Sequence, residues 1–246
     1  MSRGGFVDLH LHALPGLDDG VRSIDDSIAM LSGLCEFGFD SLVTTPHRDF
    51  RRWSYTDEQL VASYESVNSA LQEAGVPIDF GLGCEYTYGE QFQREVTSGN
   101  ARTIAGSEYV LVELPERHMP HAVAQALFQV GVSGYYPILA HPERCAPFQS
   151  DWEALAQLAS GRALVQVSFR SLAGTFGRAI RKTAWRLITE GVADLVATDC
   201  HSPRELKKVV KPVLKSLNNT LSPSALDRLM NTFPRSLLEQ HEGNTP

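Results

Sequence analysis

Short runs of apolar and β-branched residues alternate along the whole chain with longer stretches in which apolar residues recur at helical spacing. Runs bounded by turn residues favour strands, and the longer periodic stretches favour amphipathic helices. The pattern predicts seven strands, at approximately 5–10, 40–45, 78–84, 109–114, 136–140, 163–167 and 195–198. Strands that alternate with helices in this way are typical of βα units around a parallel sheet.

The stretches between the predicted strands have the pattern of helices. Ile28, Leu31 and Leu34 recur at helical spacing behind Asp and Ser residues that are candidate caps. Helices are predicted at 25–37, 57–74, 122–130, 152–159 and 176–190, followed by a C-terminal helical segment from about 203 to 240 that breaks near Ser222-Pro223. No repeat or linker-like stretch divides the chain, so we expect one domain over residues 1–246.

The composition narrows the classes of function. A net charge of −7 gives no basic footprint for nucleic acid, and with 43% hydrophobic residues the chain can bury a substantial core. No apolar run is long enough to span a bilayer, and the N-terminus lacks a secretory apolar segment, so we expect a cytoplasmic protein without a membrane span. The four cysteines form no CxxC pair, and none has an arginine six positions later, which argues against a thiol phosphatase.

Histidines collect at the ends of the predicted strands. His10 and His12 end the first strand, where a period of two points both to the same side. His47 follows the second strand, His141 the fifth and His201 the seventh, so five of the eight histidines lie at strand ends. A lone histidine is more often structural, but a same-face pair at a strand end favours a metal site.

Carboxylates complete the candidate site. Glu85 follows the third strand, Glu113 lies in an otherwise apolar run, and Asp199 ends the seventh strand. A buried Glu113 needs a cation or a strong donor, although a structural salt bridge is the simpler explanation for either Glu alone. Asp18 and Asp19 lie in a Gly-containing loop that could equally be a solvated turn. Mixed imidazole and carboxylate ligation suits Mn, Fe or Zn, and this many ligands exceeds the demand of one ion.

These motifs together resemble a known superfamily. They are His10-x-His12, Asp18-Asp19-Gly20, Thr45-Pro46-His47, Glu85, Glu113-Leu114-Pro115, His141-Pro142-Glu143-Arg144 and Asp199-x-His201. The set, spread over residues 7–201, resembles the PHP (polymerase and histidinol phosphatase) superfamily. The phrases LPGLDDG, TTPH, VELP, LAHPER and ATDCH look most like its bacterial protein-tyrosine phosphatase branch, which regulates capsule and exopolysaccharide synthesis.

The resemblance implies a fold and a metal site. The fold is an α/β, distorted seven-stranded TIM-like (β/α) barrel, the PHP fold, with three divalent ions at the carboxyl ends of the strands. Mn or Fe is the first expectation, with Zn or Mg as alternatives. The ligands carried over are His10, His12, Asp19, His47, Glu85, Glu113, His141, Asp199 and His201. Asp19 is preferred to Asp18 because the Asp directly before Gly is the usual ligand of the superfamily in that loop.

The resemblance also implies a substrate, which is phosphotyrosine in the tail of a bacterial tyrosine autokinase. We expect Arg144, and with it Arg48, to neutralise phosphoryl oxygens, and Asp18 to be a candidate proton donor. Two alternatives remain at this stage: a small-molecule phosphatase such as a histidinol-phosphate phosphatase, and a metal-stabilised regulatory module without turnover.

Overall fold

Nine strands carry the fold. A computed structural model describes residues 4–49, 51–118 and 122–239. Within these ranges the strands are β1 (Phe6–Leu11), β2 (Phe39–Thr44), β3 (His47–Arg48), β4 (Asp79–Leu82), β5 (Glu85–Thr87), β6 (Tyr109–Glu113), β7 (Tyr136–Ala140), β8 (Leu164–Ser168) and β9 (Leu195–Ala197). All seven predicted strands are present, and β3 and β5 are short additions directly after the second and third.

The strands form two parallel sheets. One has the order β1-β2-β4 and the other the order β3-β5-β6-β7-β8-β9. Every pairing is parallel, as expected for an α/β fold built from βα units. The distorted seven-stranded TIM-like barrel expected from the resemblance is therefore not confirmed, because the strands divide between two sheets.

The division between the sheets occurs at two interruptions. Thr45-Pro46 separates β2 from β3, and Pro46 has no amide hydrogen with which to continue the ladder. Gly83-Cys84 separates β4 from β5, and a Cβ at Gly83 would lie 3.0 Å from the Cδ1 atom of Ile104. The residues directly beyond each of these two predicted strands thus form a short strand of their own, and both short strands belong to the larger sheet.

The first and last strands lie side by side although they belong to different sheets. A parallel bridge joins Leu11 to Cys200, and the amide of Asp199 donates to the carbonyl of His10 at 2.9 Å. The buried carboxylate of Asp8 accepts from the amide of Thr198 at 3.1 Å and from its hydroxyl at 2.5 Å. Burial raises the pKa of Asp8 to about 6, against the opposing effect of these hydrogen bonds.

All the predicted helices are present, together with three short helices that the pattern did not predict, at Glu90–Thr97, Ala146–Ser150 and Phe169–Ala173. The helices are α1 (Ile24–Glu36), α2 (Asp57–Glu73), α3 (Glu90–Thr97), α4 (Val123–Val132), α5 (Ala146–Ser150), α6 (Trp152–Ala159), α7 (Phe169–Ala173), α8 (Arg178–Thr189), α9 (Pro203–Glu205), α10 (Lys211–Thr220), α11 (Pro223–Asp227) and α12 (Phe233–Glu239). Thr56 and Gln59 form a capping box at α2, and Ser222 caps α11 at the predicted break. Short π-helical turns at Leu206–Val210 and Arg228–Thr232 join α9 to α10 and α11 to α12.

On β6, apolar and polar side chains point to the same face of the sheet but lie at different positions along the strand. Leu111 of β6 belongs to a small apolar cluster to which α12 contributes Leu237. Glu113 lies two residues later on the same strand, and its neighbour in β7 is Ala140. On β6 the start of the strand therefore packs in the core, and the polar Glu113 lies at its carboxyl end.

The link between β1 and β9 can be tested by removing one hydroxyl. Thr198→Val deletes a buried donor to the ionised Asp8 and should lower the free energy of unfolding by about 1.5 to 3 kcal/mol at pH 8. Thr183→Val is a matched control, since the hydroxyl of Thr183 donates only to the Ala179 carbonyl within its own helix. Urea denaturation at equal metal loading measures both variants, and equal losses would contradict a special role for the link.

Candidate metal centre

The carboxylate of Glu85 lies at the middle of a group of imidazoles. Glu85 begins β5 and its side chain is fully buried. Four ring nitrogens approach it: His141 Nε2 at 2.7 Å, His10 Nε2 at 3.1 Å, His47 Nδ1 at 3.1 Å and His12 Nε2 at 3.4 Å. The Oε2 atom nonetheless has no hydrogen bond of acceptable geometry. A buried oxygen surrounded by nitrogens in this way is suited to sharing a cation with them.

His10 and His12 are oriented so that their free nitrogens face each other. Nδ1 of His10 lies 3.0 Å from the amide oxygen of Gln166, and Nδ1 of His12 lies 2.6 Å from Asp18. Each acceptor places the ring proton on Nδ1, which leaves a lone pair on Nε2. The two Nε2 atoms are 3.2 Å apart. Two lone pairs at this distance repel each other unless a cation lies between them, so these residues fit a metal ion.

The carboxylates near His10 and His12 favour positive charge between the two rings. Burial lowers the pKa of His12, but Asp18 and Glu85 outweigh burial and raise the pKa well above its usual value. The same balance, with Glu85 as the largest favourable neighbour, raises the pKa of His10. The site thus attracts positive charge to its centre, and a divalent ion would provide that charge without protons.

Asp199, His201 and Asp19 border the same centre. Oδ1 of Asp199 lies 3.7 Å from His12 Nε2 and 3.5 Å from His201 Nδ1. Oδ1 of Asp19 lies 3.5 Å from Nε2 of both His47 and His201. In the described residues, three overlapping groups could each hold an ion: His12 with Asp19, His47 and His201; His10 with His12 and Glu85; and His47 with Glu85 and Glu113.

Glu113 is a partly buried carboxylate, 21% exposed, near the carboxylate of Glu85. Its Oε1 accepts from the hydroxyl of Thr87 at 2.8 Å and lies 4.0 Å from His47 Nδ1. Burial, and after it the charge of Glu85, raises the pKa of Glu113 to about 7. A cation shared by the two carboxylates would remove this penalty.

Burial favours the neutral form of both His47 and His141. Burial lowers the pKa of His47 to about 4, although Glu85 opposes the shift. Burial also lowers the pKa of His141, and the neighbouring charge of Arg144 acts in the same direction. Neutral imidazole is the form that binds metals, so both rings are ready to act as ligands.

Two site residues have an unusual backbone conformation. His141 follows β7 with φ of 33°, and Asp199 follows β9 with φ of 52°. Positive φ is unfavourable for residues with a side chain and is often found at functional sites. His141 follows β7 directly, and Asp199 lies two residues beyond the last residue of β9.

The structure brings together every residue that the sequence suggested as a metal ligand. These are His10, His12, Asp19, His47, Glu85, Glu113, His141, Asp199 and His201. They come from the ends of different strands and from the loop after β1. Their role as ligands remains a prediction, and their convergence is a property of the fold.

Asp18 does not have the position expected of a proton donor. Its carboxylate is bound to His12 Nδ1 and also accepts from the amides of Gly20 and His47 at 2.9 and 3.0 Å. Burial raises the pKa of Asp18, but His12 and these hydrogen bonds outweigh it, so the pKa is lowered overall. An ionised carboxylate has no proton to donate. The position instead suits a residue that orients His12.

Arg48 also lies away from the cluster. It follows His47 in β3, and the alternation of side chains along a strand points it to the opposite face. Its guanidinium pairs with Asp57 at 2.6 Å and with Glu95 at 3.2 Å. The expected contribution of Arg48 to phosphoryl binding is therefore not supported by its position.

Arg144 lies three residues beyond His141, and its role in phosphoryl binding stays a prediction. It forms an ion pair with Glu116 through Nη2 at 2.5 Å, and its guanidinium lies 4.4 Å from the ring centroid of Phe176. Burial opposes its charge, but Asp199, Glu116 and Glu85 together raise the pKa of Arg144. Arg144 is therefore a permanent cation that interacts electrostatically with the buried carboxylates.

Three residues of β8 and the turn after it contact the cluster but were missed from the sequence. Gln166 binds His10, Ser168 donates its hydroxyl to Asp199 at 3.0 Å, and Arg170 lies 3.1 Å from Nδ1 of His201. Gln166, a polar residue within the apolar run 164–168, could have been recognised as a candidate site residue in the same way as Glu113 in β6. Arg170, two residues past a strand end, fits the rule that located the histidines.

The buried cysteines do not have the environment of nucleophiles. Burial raises the pKa of Cys84 to about 12 and that of Cys145 to about 11, and it raises the pKa of Cys200 well above its usual value. Nucleophilic cysteines need a depressed pKa, so these three thiols are packing groups.

The sequence matches the profile of the family described as capsular polysaccharide synthesis, CpsB/CapC, over residues 6–239. This match covers almost the whole chain. The chain belongs to the CpsB/CapC family.

Curated relatives agree with this assignment. CapC of Staphylococcus aureus, named as a candidate tyrosine-protein phosphatase, is 31% identical over 80% of this chain and 77% of its own length. The tyrosine-protein phosphatase YwqE of Bacillus subtilis is 26% identical over 80% of this chain and 77% of its own. The tyrosine-protein phosphatase CpsB of Streptococcus pneumoniae is 21% identical over 80% and 83%.

Solved structures share the fold. A crystal structure from the pair YwqE of Bacillus subtilis and CpsB of Streptococcus pneumoniae, described as metal-dependent tyrosine phosphatases, superposes with a TM-score of 0.82 at 24% identity and 94% coverage of both chains. A histidinol phosphate phosphatase of Lactococcus lactis superposes with a TM-score of 0.52 at 14% identity, over 87% of this chain and 94% of its own. At these identities the likeness concerns the fold alone.

None of the helices in the described ranges combines the length and the apolar character that crossing a lipid bilayer requires.

The role of Asp18 in this CpsB/CapC member can be separated from that of a proton donor. Asp18→Asn weakens the acceptor that fixes His12, and such changes typically lower metal affinity about 10- to 100-fold. Titration of the metal-free protein with Mn²⁺ measures this, and Asp25→Asn, in the exposed first turn of α1, should bind as the unmodified chain does. Normal Mn²⁺ affinity with an altered alkaline limb of the pH–rate profile would instead favour proton donation.

Proposed function

We propose that this chain is a metal-dependent protein-tyrosine phosphatase. The observation that carries the proposal is the Glu85-centred cluster of imidazoles and carboxylates with the permanent cation Arg144 at its edge. Membership of the CpsB/CapC family and the names of its relatives support the same activity. Phosphoryl transfer to water needs charge neutralisation and an activated water, and the cluster is suited to both.

The proposed cofactor is a set of three divalent ions. We propose Mn or Fe first, with Zn or Mg as alternatives, because imidazoles and carboxylates occur together in the cluster. The three overlapping groups of potential ligands support more than one ion. Bound ions would activate water and neutralise phosphoryl charge.

Side chains of the protein itself would orient the histidine rings and neutralise phosphoryl charge. Gln166 fixes the ring of His10 and Asp18 fixes the ring of His12, so that both Nε2 atoms point into the cluster. Arg144 presents a planar guanidinium that can bind two phosphoryl oxygens once it exchanges Glu116 for the substrate. No covalent phosphoenzyme is required, in agreement with the raised pKa values of the buried thiols.

An aryl phosphate suits this arrangement. The phenol of tyrosine has a pKa of about 10, so its oxygen leaves with less proton donation than that of an alkyl alcohol. Asp18, ionised beside His12, is not needed as an acid for such a substrate. The same argument makes an alkyl phosphate such as histidinol phosphate a poorer fit.

The biological setting is part of the proposal. We propose that the substrate is phosphotyrosine in the tail of a bacterial tyrosine autokinase that controls capsule or exopolysaccharide synthesis, and that the protein acts in the cytoplasm. We also propose that residues 1–246 are one domain and that its two sheets are a distorted form of the seven-stranded barrel. The bridge between β1 and β9 supports that relation.

The activity is tested with purified, Mn²⁺-loaded protein on a phosphotyrosine peptide and on histidinol phosphate. We expect efficient release of phosphate from the peptide, much slower release from histidinol phosphate, and loss of both after chelation with recovery when Mn²⁺ is added back.

A preference for histidinol phosphate would favour the small-molecule phosphatase. Tight Mn²⁺ binding without turnover on either substrate would favour the regulatory module. Full turnover in demonstrably metal-free protein would contradict the mechanism altogether.

Arg144 provides the sharpest test of phosphoryl neutralisation. Loss of one preorganised donor typically costs about 100- to 1000-fold in rate, so Arg144→Ala should fall in this range with its metals retained. Arg144→Lys keeps the charge but loses the two-pronged contact, and we expect only partial recovery. Steady-state kinetics on the phosphotyrosine peptide and metal analysis of each variant measure the effect.

Glu116→Gln is the matched control for Arg144. It removes the exposed carboxylate that holds Arg144 and leaves the guanidinium in place. Because an exposed ion pair contributes about 1 kcal/mol or less, we expect a folded protein whose turnover is unchanged or higher. Wild-type turnover and metal content in Arg144→Ala would show that Arg144 is only a salt-bridge residue.

A further inference from the structure

A second arginine lies at the edge of the same cluster. Arg170 follows β8 in α7, and its Nη1 atom lies 3.1 Å from His201 Nδ1 and 3.8 Å from Asp199 Oδ1. Its Nε atom lies 3.4 Å from Glu205, at ion-pair distance but without hydrogen-bond geometry. The side chain is 18% exposed, similar to the 20% of Arg144. Arg170 is thus partly open to solvent and directly beside two proposed ligands.

The ring of Phe176 contacts both Arg144 and Arg170. The guanidinium carbon of Arg144 lies 4.4 Å from the ring centroid of Phe176, and that of Arg170 lies 5.0 Å from the same centroid. Cations at this distance over a ring are attracted by its negative face. Both guanidinium groups therefore contact the same aromatic ring.

Two neighbouring cations repel each other unless anions compensate them. Arg144 has Glu116, whereas the carboxylates near Arg170 are Glu205 and Asp199. Asp199 also faces His10, His12 and His201, and a bound metal would draw on its charge. With metal bound, Arg170 would therefore lose part of its compensation, and a phosphoryl dianion would restore the balance.

We propose that Arg170 is a second phosphate-binding arginine, which Phe176 aligns with Arg144 so that both contact the phosphoryl group of the substrate. This rests on the proposed function, because it places the phosphoryl group at the Glu85-centred cluster. A monoester dianion has enough oxygens to contact both guanidinium groups as well as metal ions. The pair of arginines favours such dianions over neutral or singly charged esters.

The test uses metal-loaded protein and inorganic phosphate as the probe. Phosphate affinity of Mn²⁺-loaded wild type, Arg170→Gln and Arg170→Lys is measured by calorimetry, with Mn²⁺ content determined for each sample. Arg162→Gln is the matched control, since Arg162 is an exposed arginine just before β8, at the opposite end of the strand from Arg170. Phe176→Leu tests the alignment without removing a charge.

We expect Arg170→Gln to weaken phosphate binding about 10- to 100-fold at unchanged Mn²⁺ content, since a charged hydrogen-bond donor is lost. Arg170→Lys should recover part of this loss, and Arg162→Gln should match wild type. Phe176→Leu should cost about 2- to 5-fold, the value of one exposed cation–π contact. The Michaelis constant for a phosphotyrosine peptide should rise in the same order.

Wild-type phosphate affinity in Arg170→Gln would overturn the proposal. A loss of Mn²⁺ that accounts for the weaker binding would also overturn it, because Arg170 would then act only through His201 and Asp199. The proposed function fails separately: wild-type protein would not hydrolyse the phosphotyrosine peptide, whereas its phosphate affinity would still depend on Arg170.

Discussion

The buried carboxylate of Glu85 is the constraint on which the site depends. It is fully buried and lies within 3.4 Å of ring nitrogens from four histidines, yet one of its oxygens has no hydrogen bond. A buried charge costs several kcal/mol unless it is compensated, so the rings around it must be held with their nitrogens inward. Gln166 and Asp18 do this for His10 and His12.

This constraint explains why the strands are interrupted where they are. Pro46 and Gly83-Cys84 end β2 and β4, and the short strands β3 and β5 begin at His47 and Glu85. His47 and Glu85 are direct neighbours in the parallel register between β3 and β5. The interruptions thus move both residues into the larger sheet, beside Glu113 of β6, while the Asp8–Thr198 link keeps β1 and its histidines against β9.

The sequence predicted the positions of site residues correctly where a single periodicity or a strand end determined them. Period-two spacing placed His10 and His12 together, and positions just past strand ends identified His141 and His201. It failed where side-chain direction depends on a short local turn or an added strand. Asp18 and Asp19 are adjacent yet point to different partners, and Arg48 faces away because β3, absent from the predicted pattern, continues the alternation. Contacts such as Arg170 with His201 join distant parts of the chain that no local pattern relates.

The proposed role of the two arginines would also explain how a chain with a net charge of −7 can bind an anion. Overall charge governs approach over long distances, but salt screens exposed charges beyond about 8 Å at physiological ionic strength. Local groups therefore dominate at the mouth of the site, where Arg144 and Arg170 lie against Phe176 with Glu116 and Glu205 as neighbours. Because Arg144 already has Glu116 as its partner, a phosphoryl group would there replace one anion by another. Such an exchange requires little new desolvation of the cations, so the gain depends on the charge of the ligand and favours a dianion.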